Sequence, residues 1–202
     1  MSKTIEFIFD FGSPTAYLAN KALPGVLERT GATVTYVPCL LGGIFKATNN
    51  QPPMMAFGGV QGKLAYEQLE MARFMKKHDI TKFRFNPHFP VNTLMLVRGA
   101  IASHARGEAE AYMQAGLEAM WEDGYNMSDP EIFSATLTAK GLDGPAYLQA
   151  TQDPSVKAKL IENTENAVNR GVFGIPTFFV GTEMFFGKDK LRDVEDELLA
   201  AS

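Results

Sequence analysis

The chain has 202 residues, of which 46% are hydrophobic, so it suits one large globular domain or one domain that carries an insertion. Its 19 lysines and arginines stand against 23 aspartates and glutamates, a net charge of −4 with no block of like charge. This balance argues against nucleic acid or an anionic membrane as the main partner.

The single cysteine excludes an intrachain disulfide. The opening segment MSKTIEFIFD lacks an apolar signal-peptide core, and no apolar run approaches the roughly 18 residues of a spanning helix, so a cytoplasmic protein is expected.

The first 40 residues predict a strand, a helix and a second strand. Apolar residues alternate over 4–10, which predicts a strand buried on at least one face. Ser13 is placed as an N-cap and Pro14 as the first helical residue. We expect the helix over 14–22, an interruption at Pro24-Gly25, a continuation through 27, and a strand over 33–37. A strand–helix–strand unit implies a right-handed crossover and a parallel pair.

The pattern then changes to helices and returns to strands only near the end. Helical spacing predicts helices over 60–77, 93–104, 108–121, 130–139, 145–149 and 155–169. The apolar, glycine-tipped segment 52–59 (PPMMAFGG) is not expected to be regular. A hairpin is predicted from strands 176–180 and 183–186, followed by a helix over 188–199.

The order βαβ, helical insertion, αββα predicts an α/β protein with a thioredoxin-like fold. We assign residues 1–42 and 155–202 to the thioredoxin-like domain and residues 43–154 to an inserted all-helical domain. In such a fold a strand–turn–helix start faces a strand that begins with proline, and a cis bond before Pro176 is plausible. Here the turn carries Ser13 where a cysteine pair is expected.

Five segments together resemble the DsbA-like thioredoxin superfamily, in the branch of 2-hydroxychromene-2-carboxylate isomerases and kappa-class glutathione transferases. They are DFGSP (10–14) with AYLA (16–19), LGGIFKAT (41–48), NPHFPVNT (86–93), VFGIPT (172–177), and FFG (185–187) before DKL (189–191). The resemblance spans nearly the whole chain. It implies a glutathione-dependent enzyme, a helical domain inserted into a thioredoxin fold, and a homodimer.

Ser13 is the predicted catalytic residue. A helix start presents unpaired N–H groups and a partial positive charge, which stabilise a thiolate. The Ser13 hydroxyl can donate to such a sulfur but supplies none, so the thiolate must come from outside, and glutathione is the obvious carrier. The alternative is that Ser13 only caps the helix.

The other site residues are predicted from the same two ends of the chain and from the loop after the second strand. Ile175, before Pro176, is expected to offer a free N–H and C=O to glutathione as to an added strand. Asp189 beside Lys190 complements the γ-glutamyl ammonium and carboxylate, although the family usually has arginine at the position of Lys190. Solvated helix-start charges are the alternative.

Lys46 is predicted to attract a carboxylate, while Met54, Met55 and Phe57 either cover an apolar ring or pack inside the helical domain. For Asn92, helix capping and a polar site contact are both open. The residues predicted to bind glutathione are Ser13, Pro14, Lys46, Asn49, Ile175, Pro176, Asp189 and Lys190; those predicted to contact substrate are Lys46, Pro52, Pro53 and Asn92. Cys39 is predicted to be a core residue, and the three histidines lack metal-ligand spacing, so no metal is expected.

These residues favour a glutathione-dependent isomerase of a small aromatic-derived hydroxy acid such as 2-hydroxychromene-2-carboxylate, in which a thiolate stabilised by Ser13 adds reversibly to the substrate. A kappa-like transferase or peroxidase uses the same activation, so the sequence separates the two poorly. A glutathione-binding module without turnover is the third hypothesis. A lone serine in the turn excludes dithiol oxidoreductase chemistry.

Overall fold

The computed structural model describes residues 3–200. In chain order the elements are β1 (Thr4–Phe9), α1 (Pro14–Thr30), β2 (Thr33–Pro38), α2 (Leu41–Thr48), α3 (Pro53–Ala56), α4 (Lys63–Lys77), α5 (Leu94–Arg106), α6 (Ala109–Glu118), a π-helical turn (Ala119–Asp123), α7 (Pro130–Ala139), α8 (Gly144–Ala150), α9 (Pro154–Asn169), β3 (Thr177–Val180), β4 (Glu183–Phe186), a 3-10 turn (Lys188–Lys190) and α10 (Leu191–Ala200). None of these helices is long and apolar enough to cross a membrane.

The four strands form one mixed sheet in the order β2-β1-β3-β4. β1 pairs in parallel with β2, and β3 is antiparallel to both β1 and β4. This topology confirms the predicted parallel pair, the hairpin and the thioredoxin-like α/β fold. Ile5, Phe7, Ile8 and Phe9 are at most 1% exposed, so β1 is the central strand of the core and is covered on both faces.

Helix α1 is continuous from Pro14 to Thr30, so the predicted interruption at Pro24-Gly25 was wrong. Pro24 is exposed, while Leu23 and Val26 beside it are buried in the core. The missing proline N–H is therefore on the exposed side of the helix, and the buried face holds both halves of the helix in line.

The sequence did not predict α2 or the single turn α3. Gly42 and Gly43 weaken the helical pattern of α2, yet Ile44 is completely buried and anchors this helix to the core. Because α2 begins at Leu41, the predicted domain boundary between residues 42 and 43 falls inside a helix. The predicted helix over 108–121 is α6 continued by the π-helical turn.

The helical insertion packs directly against the turn between β1 and α1. The indole Nε1 of Trp121 donates to the carbonyl oxygen of Phe11 at 2.8 Å, and the hydroxyl of Tyr17 donates to Glu122 at 2.9 Å. A Cβ atom on Gly116 of α6 would lie 2.5 Å from the Phe11 ring, so only glycine permits this approach. The insertion thus fixes the turn that carries Ser13.

Candidate functional site

Ser13 caps α1 and also contacts the start of β3. Its Oγ accepts a hydrogen bond from the backbone N–H of Ala16 at 3.2 Å, which confirms the predicted cap. The same hydroxyl donates to the carbonyl oxygen of Ile175 at 3.1 Å, across 162 residues of sequence. The hydroxyl of Thr15 lies 3.1 Å from Ser13 Oγ. Ser13 is 3% exposed, so this hydroxyl is a largely enclosed polar group at a helix N-terminus.

The Ile175–Pro176 peptide bond is cis, as expected from the sequence, and it leads directly into β3. The prediction that both backbone groups of Ile175 would be free was wrong for the carbonyl, because Ser13 donates to it. The Ile175 N–H donates to no group among residues 3–200, although Ile175 is only 6% exposed. One backbone donor therefore stands beside Ser13 without a partner among the described residues.

Asp10 is a residue of this site to which the sequence interpretation gave no role. It is 1% exposed, and its carboxylate accepts hydrogen bonds from Gly12 N at 2.9 Å, Leu41 N at 2.8 Å and Thr93 Oγ1 at 2.6 Å. These bonds join the Ser13 turn to the starts of α2 and α5. Burial raises the pKa of Asp10, while the three hydrogen bonds act in the opposite direction. The sequence offered one signal for this role, namely a charged residue at the end of an apolar strand.

The turn at residues 187–190 lies beside Pro176, whose carbonyl accepts from Gly187 N at 2.9 Å. Asp189 pairs with Lys188, not Lys190: Nζ of Lys188 is 2.6 and 2.8 Å from the two carboxylate oxygens. Lys190 instead binds Asp193 at 2.6 Å. The predicted neighbours Asp189 and Lys190 are therefore both present at this turn, each with its own counter-ion.

Lys188 was missed by the sequence interpretation, because a lysine at a helix start normally points into solvent. Its side chain is only 5% exposed, and Nζ lies 4.9 Å from the centroid of the Phe74 ring in α4. The Asp189 carboxylate remains 66% exposed. Lys188 thus holds an accessible carboxylate in one orientation at the edge of the candidate site.

Helix α2 is tied to the site at both ends. Asp10 accepts from Leu41 N at its start, and the side chain of Asn50 donates to the carbonyl of Phe173 at 2.8 Å just after its end. Lys46 and Asn49 are exposed on this helix, and Asn49 ends it with a φ of 53°. The structure therefore holds the helix that carries these two predicted residues against the segment that precedes Ile175.

The remaining predicted contacts lie in exposed segments. Pro52 and Pro53 begin α3, and the prediction that 52–59 lacks regular structure was wrong for this one turn. Met54 and Met55 are 57% and 70% exposed, so they do not pack inside the helical insertion. Asn92 accepts from Leu94 N at 3.0 Å, so its side chain forms a local turn just before α5, whose N-cap residue is Thr93.

Cys39 is a core residue, as predicted. It is 0% exposed, and its Sγ donates to the carbonyl of Asn163 at 3.4 Å. Burial raises the pKa of its thiol to about 12, so the thiolate is not accessible near neutral pH. Any sulfur nucleophile acting at Ser13 must therefore come from another molecule.

Comparison with known proteins agrees with this geometry. Residues 4–199 match the family model of the DSBA-like thioredoxin domain. A 2-hydroxychromene-2-carboxylate isomerase of Sphingobium xenophagum is 30% identical over 98% of this chain and 100% of that protein. Glutathione S-transferase kappa 1 of Homo sapiens is 26% identical over 95% of this chain and 89% of that protein. A solved structure of 2-hydroxychromene-2-carboxylate isomerase superimposes with a TM-score of 0.83 at 29% identity, over 98% of this chain and 95% of that one. The chain therefore belongs to the DsbA-like thioredoxin family, in the branch that holds 2-hydroxychromene-2-carboxylate isomerases and kappa-class glutathione transferases.

Proposed function

We propose that the protein is a glutathione-dependent isomerase acting on an aromatic-derived hydroxy acid such as 2-hydroxychromene-2-carboxylate. The single observation that carries the proposal is the juxtaposition of the Ser13 hydroxyl, at the N-terminus of α1, with the N–H of Ile175, for which no described residue is an acceptor. Relatives named for this isomerase align over nearly the whole chain, and relatives named for glutathione transfer align at lower identity.

The residues present fit glutathione. An extended tripeptide needs a backbone donor at a strand edge, and Ile175 supplies one that no group of residues 3–200 uses. Asp189, held by Lys188, offers an exposed carboxylate to an ammonium group. The set of residues predicted to bind glutathione also includes Lys190, Lys46, Asn49 and Pro14. Bound glutathione supplies the thiolate nucleophile that the chain itself lacks.

The protein's own contribution is electrostatic and positional. The start of α1 carries the partial positive charge of a helix N-terminus, which lowers the free energy of an anion held there. Pro14 has no N–H and Ala16 N–H already donates to Ser13, so the Ser13 hydroxyl is the donor that this helix start offers to a sulfur. Ser13 contributes one O–H donor, which turns from the Ile175 carbonyl to a sulfur anion. Lys46 offsets a substrate carboxylate, and Pro52, Pro53 and Asn92 border the space for its ring. No proton transfer by an acid or base of the chain is required by this arrangement.

The test compares Ser13→Ala with Ser13→Gly. Both variants lack the hydroxyl, but glycine preserves N-cap stability to within a few tenths of a kcal/mol, whereas alanine loses about 1 kcal/mol. We expect turnover of 2-hydroxychromene-2-carboxylate to fall on the order of 10²-fold in both, with glutathione affinity largely retained. Isomerisation that proceeds equally fast without glutathione, or in Ser13→Gly, would contradict the proposal.

A kappa-like transferase or peroxidase is the second candidate, favoured by the relatives named glutathione S-transferase kappa 1. The two functions differ in mass balance, because an isomerase regenerates glutathione whereas a transferase consumes it. Stoichiometric loss of glutathione with a chlorinated nitroarene, at a rate above that of isomerisation, would favour the transferase. Glutathione binding without turnover in either assay would leave only a binding module.

A further inference from the structure

A groove that Ser13 does not line lies where α9 packs against α2 and α5. The groove has a volume of about 590 Å³, which is within the usual range for small-molecule sites. Its walls are mostly apolar and include Gly43, Ala47, Leu94, Leu160, Ile161 and Val168. None of the residues that line it belongs to the candidate site described above.

Arg98 lines this groove without a carboxylate partner. Its Nη1 is 3.5 Å from the carbonyl oxygen of Thr151, a long contact, and its Nε is buried without any hydrogen-bond partner. No ion pair joins Arg98 to an acidic side chain among residues 3–200. A guanidinium with unused donors and an uncompensated charge is rare in a partly buried position, because desolvation costs free energy that pairing normally offsets. Arg98 therefore points to an anion that none of the described residues supplies.

A second cation lies at the same end of the groove. Lys157 is in the first turns of α9, which follows Thr151. Within residues 3–200 its Nζ has one hydrogen-bond partner, the neutral side-chain oxygen of Gln152 at 3.1 Å. The nearby acid Asp153 is engaged in capping, since it accepts from Ser155 N at 2.7 Å. Glu165, the acidic residue of the groove, is eight residues farther along α9, which corresponds to about 12 Å. One end of the groove is therefore cationic, and the walls along the rest of it are mostly apolar.

We propose that this groove is a binding site for an amphipathic monocarboxylate, an aromatic or short aliphatic acid. The carboxylate lies against Arg98 and Lys157, and the apolar body lies along the walls formed by α2 and α9. Arginine presents a planar fork that matches a carboxylate, and a charged hydrogen bond of this kind discriminates strongly against a neutral isostere. The site does not depend on Ser13 or on glutathione.

The experiment is a calorimetric titration of the full chain with 2-naphthoate and with its neutral counterpart 2-naphthamide. We expect the acid to bind about tenfold or more tightly than the amide. The Arg98→Met variant should remove this preference, and Arg98→Lys should restore part of it. Ser13→Gly and saturating glutathione should leave naphthoate binding unchanged, which separates this groove from the candidate active site and from the outcome of the isomerase test.

Two further variants keep the test decisive if Arg98→Met does not fold. Ala47→Phe fills the groove while Arg98 stays in place, and it should abolish binding of both compounds; Glu165→Gln, at the far end, should change neither. Equal affinity for acid and amide, no binding of either, or naphthoate binding that survives in Ala47→Phe would each overturn the proposal. If neither compound binds and Ala47→Phe converts a dimer into monomers, the groove is occupied by a second copy of the chain. That outcome would also overturn the proposal.

Discussion

At the scale of single residues, Asp10 holds the candidate site together, because one carboxylate accepts from the Ser13 turn, α2 and α5. Asp10→Ala would leave two backbone N–H groups and one hydroxyl without an acceptor. We expect it to lower the free energy of unfolding by about 2 kcal/mol or more at pH 4 to 5. Urea titration followed by circular dichroism measures this loss. A variant as stable as the parent at every pH would contradict the assignment.

The pH dependence of that loss has a definite sign. Burial raises the pKa of Asp10 above its ordinary value of 3.8, so the folded state binds this proton more tightly than the unfolded state. Its contribution is fully present below that value and decreases as the pH rises through the raised pKa. The gap between parent and Asp10→Ala should therefore narrow with rising pH. Asp153 is the matched control: hydrogen bonds from Ser155 lower its pKa, so the gap for Asp153→Ala should widen as the pH rises toward 3.8 and then stay level where the Asp10 gap narrows.

At the scale of elements, we expect the same glycine-to-alanine substitution to have opposite effects on stability at two positions in helices. In Gly116→Ala of α6 the new Cβ would meet the Phe11 ring at 2.5 Å, and Phe11 is completely buried. We expect a loss of about 1–3 kcal/mol in the free energy of unfolding. Gly42→Ala in α2 meets nothing within 4 Å and should gain about 0.5–1 kcal/mol. Denaturation midpoints measure both, and a stabilised Gly116→Ala would show that Phe11 can move aside.

The elements also show what the sequence could reveal. The strands carry alternating or continuous apolar patterns, and α1 begins at a serine and a proline, so local signals predicted them. Helix α2 escaped prediction because paired glycines oppose a helix locally, whereas the burial of Ile44 and the bond from Leu41 to Asp10 stabilise it. The same limit applies to the site. Thr93 lies 83 residues from Asp10, and no local pattern announces such a pairing.

At the scale of the whole molecule, the predicted two domains share one buried and one partly buried hydrogen bond where the helical insertion meets the β1–α1 turn and α1. Trp121 in the insertion binds the carbonyl of Phe11, and Tyr17 in α1 binds Glu122. Both aromatic side chains are 0% exposed. These contacts would have to break before either part could open alone. The division into two domains at residues 42 and 155 stays a prediction, and we expect no independent unfolding of the two parts.

This expectation is testable because Trp121 is the single tryptophan of the chain. Its fluorescence reports on the junction, whereas far-ultraviolet circular dichroism reports on all helices. We expect the two urea transitions to coincide, and Tyr17→Phe to shift both midpoints equally, with a loss of about 1 kcal/mol for one partly buried hydrogen bond. Tyr125→Phe is the control, since Tyr125 is 45% exposed and should leave both midpoints in place. In Tyr17→Phe, the midpoint of the fluorescence transition could move to a lower urea concentration while the midpoint of the dichroism transition stays in place. The insertion would then be detaching from a sheet that remains folded, and the prediction of cooperative unfolding would be refuted.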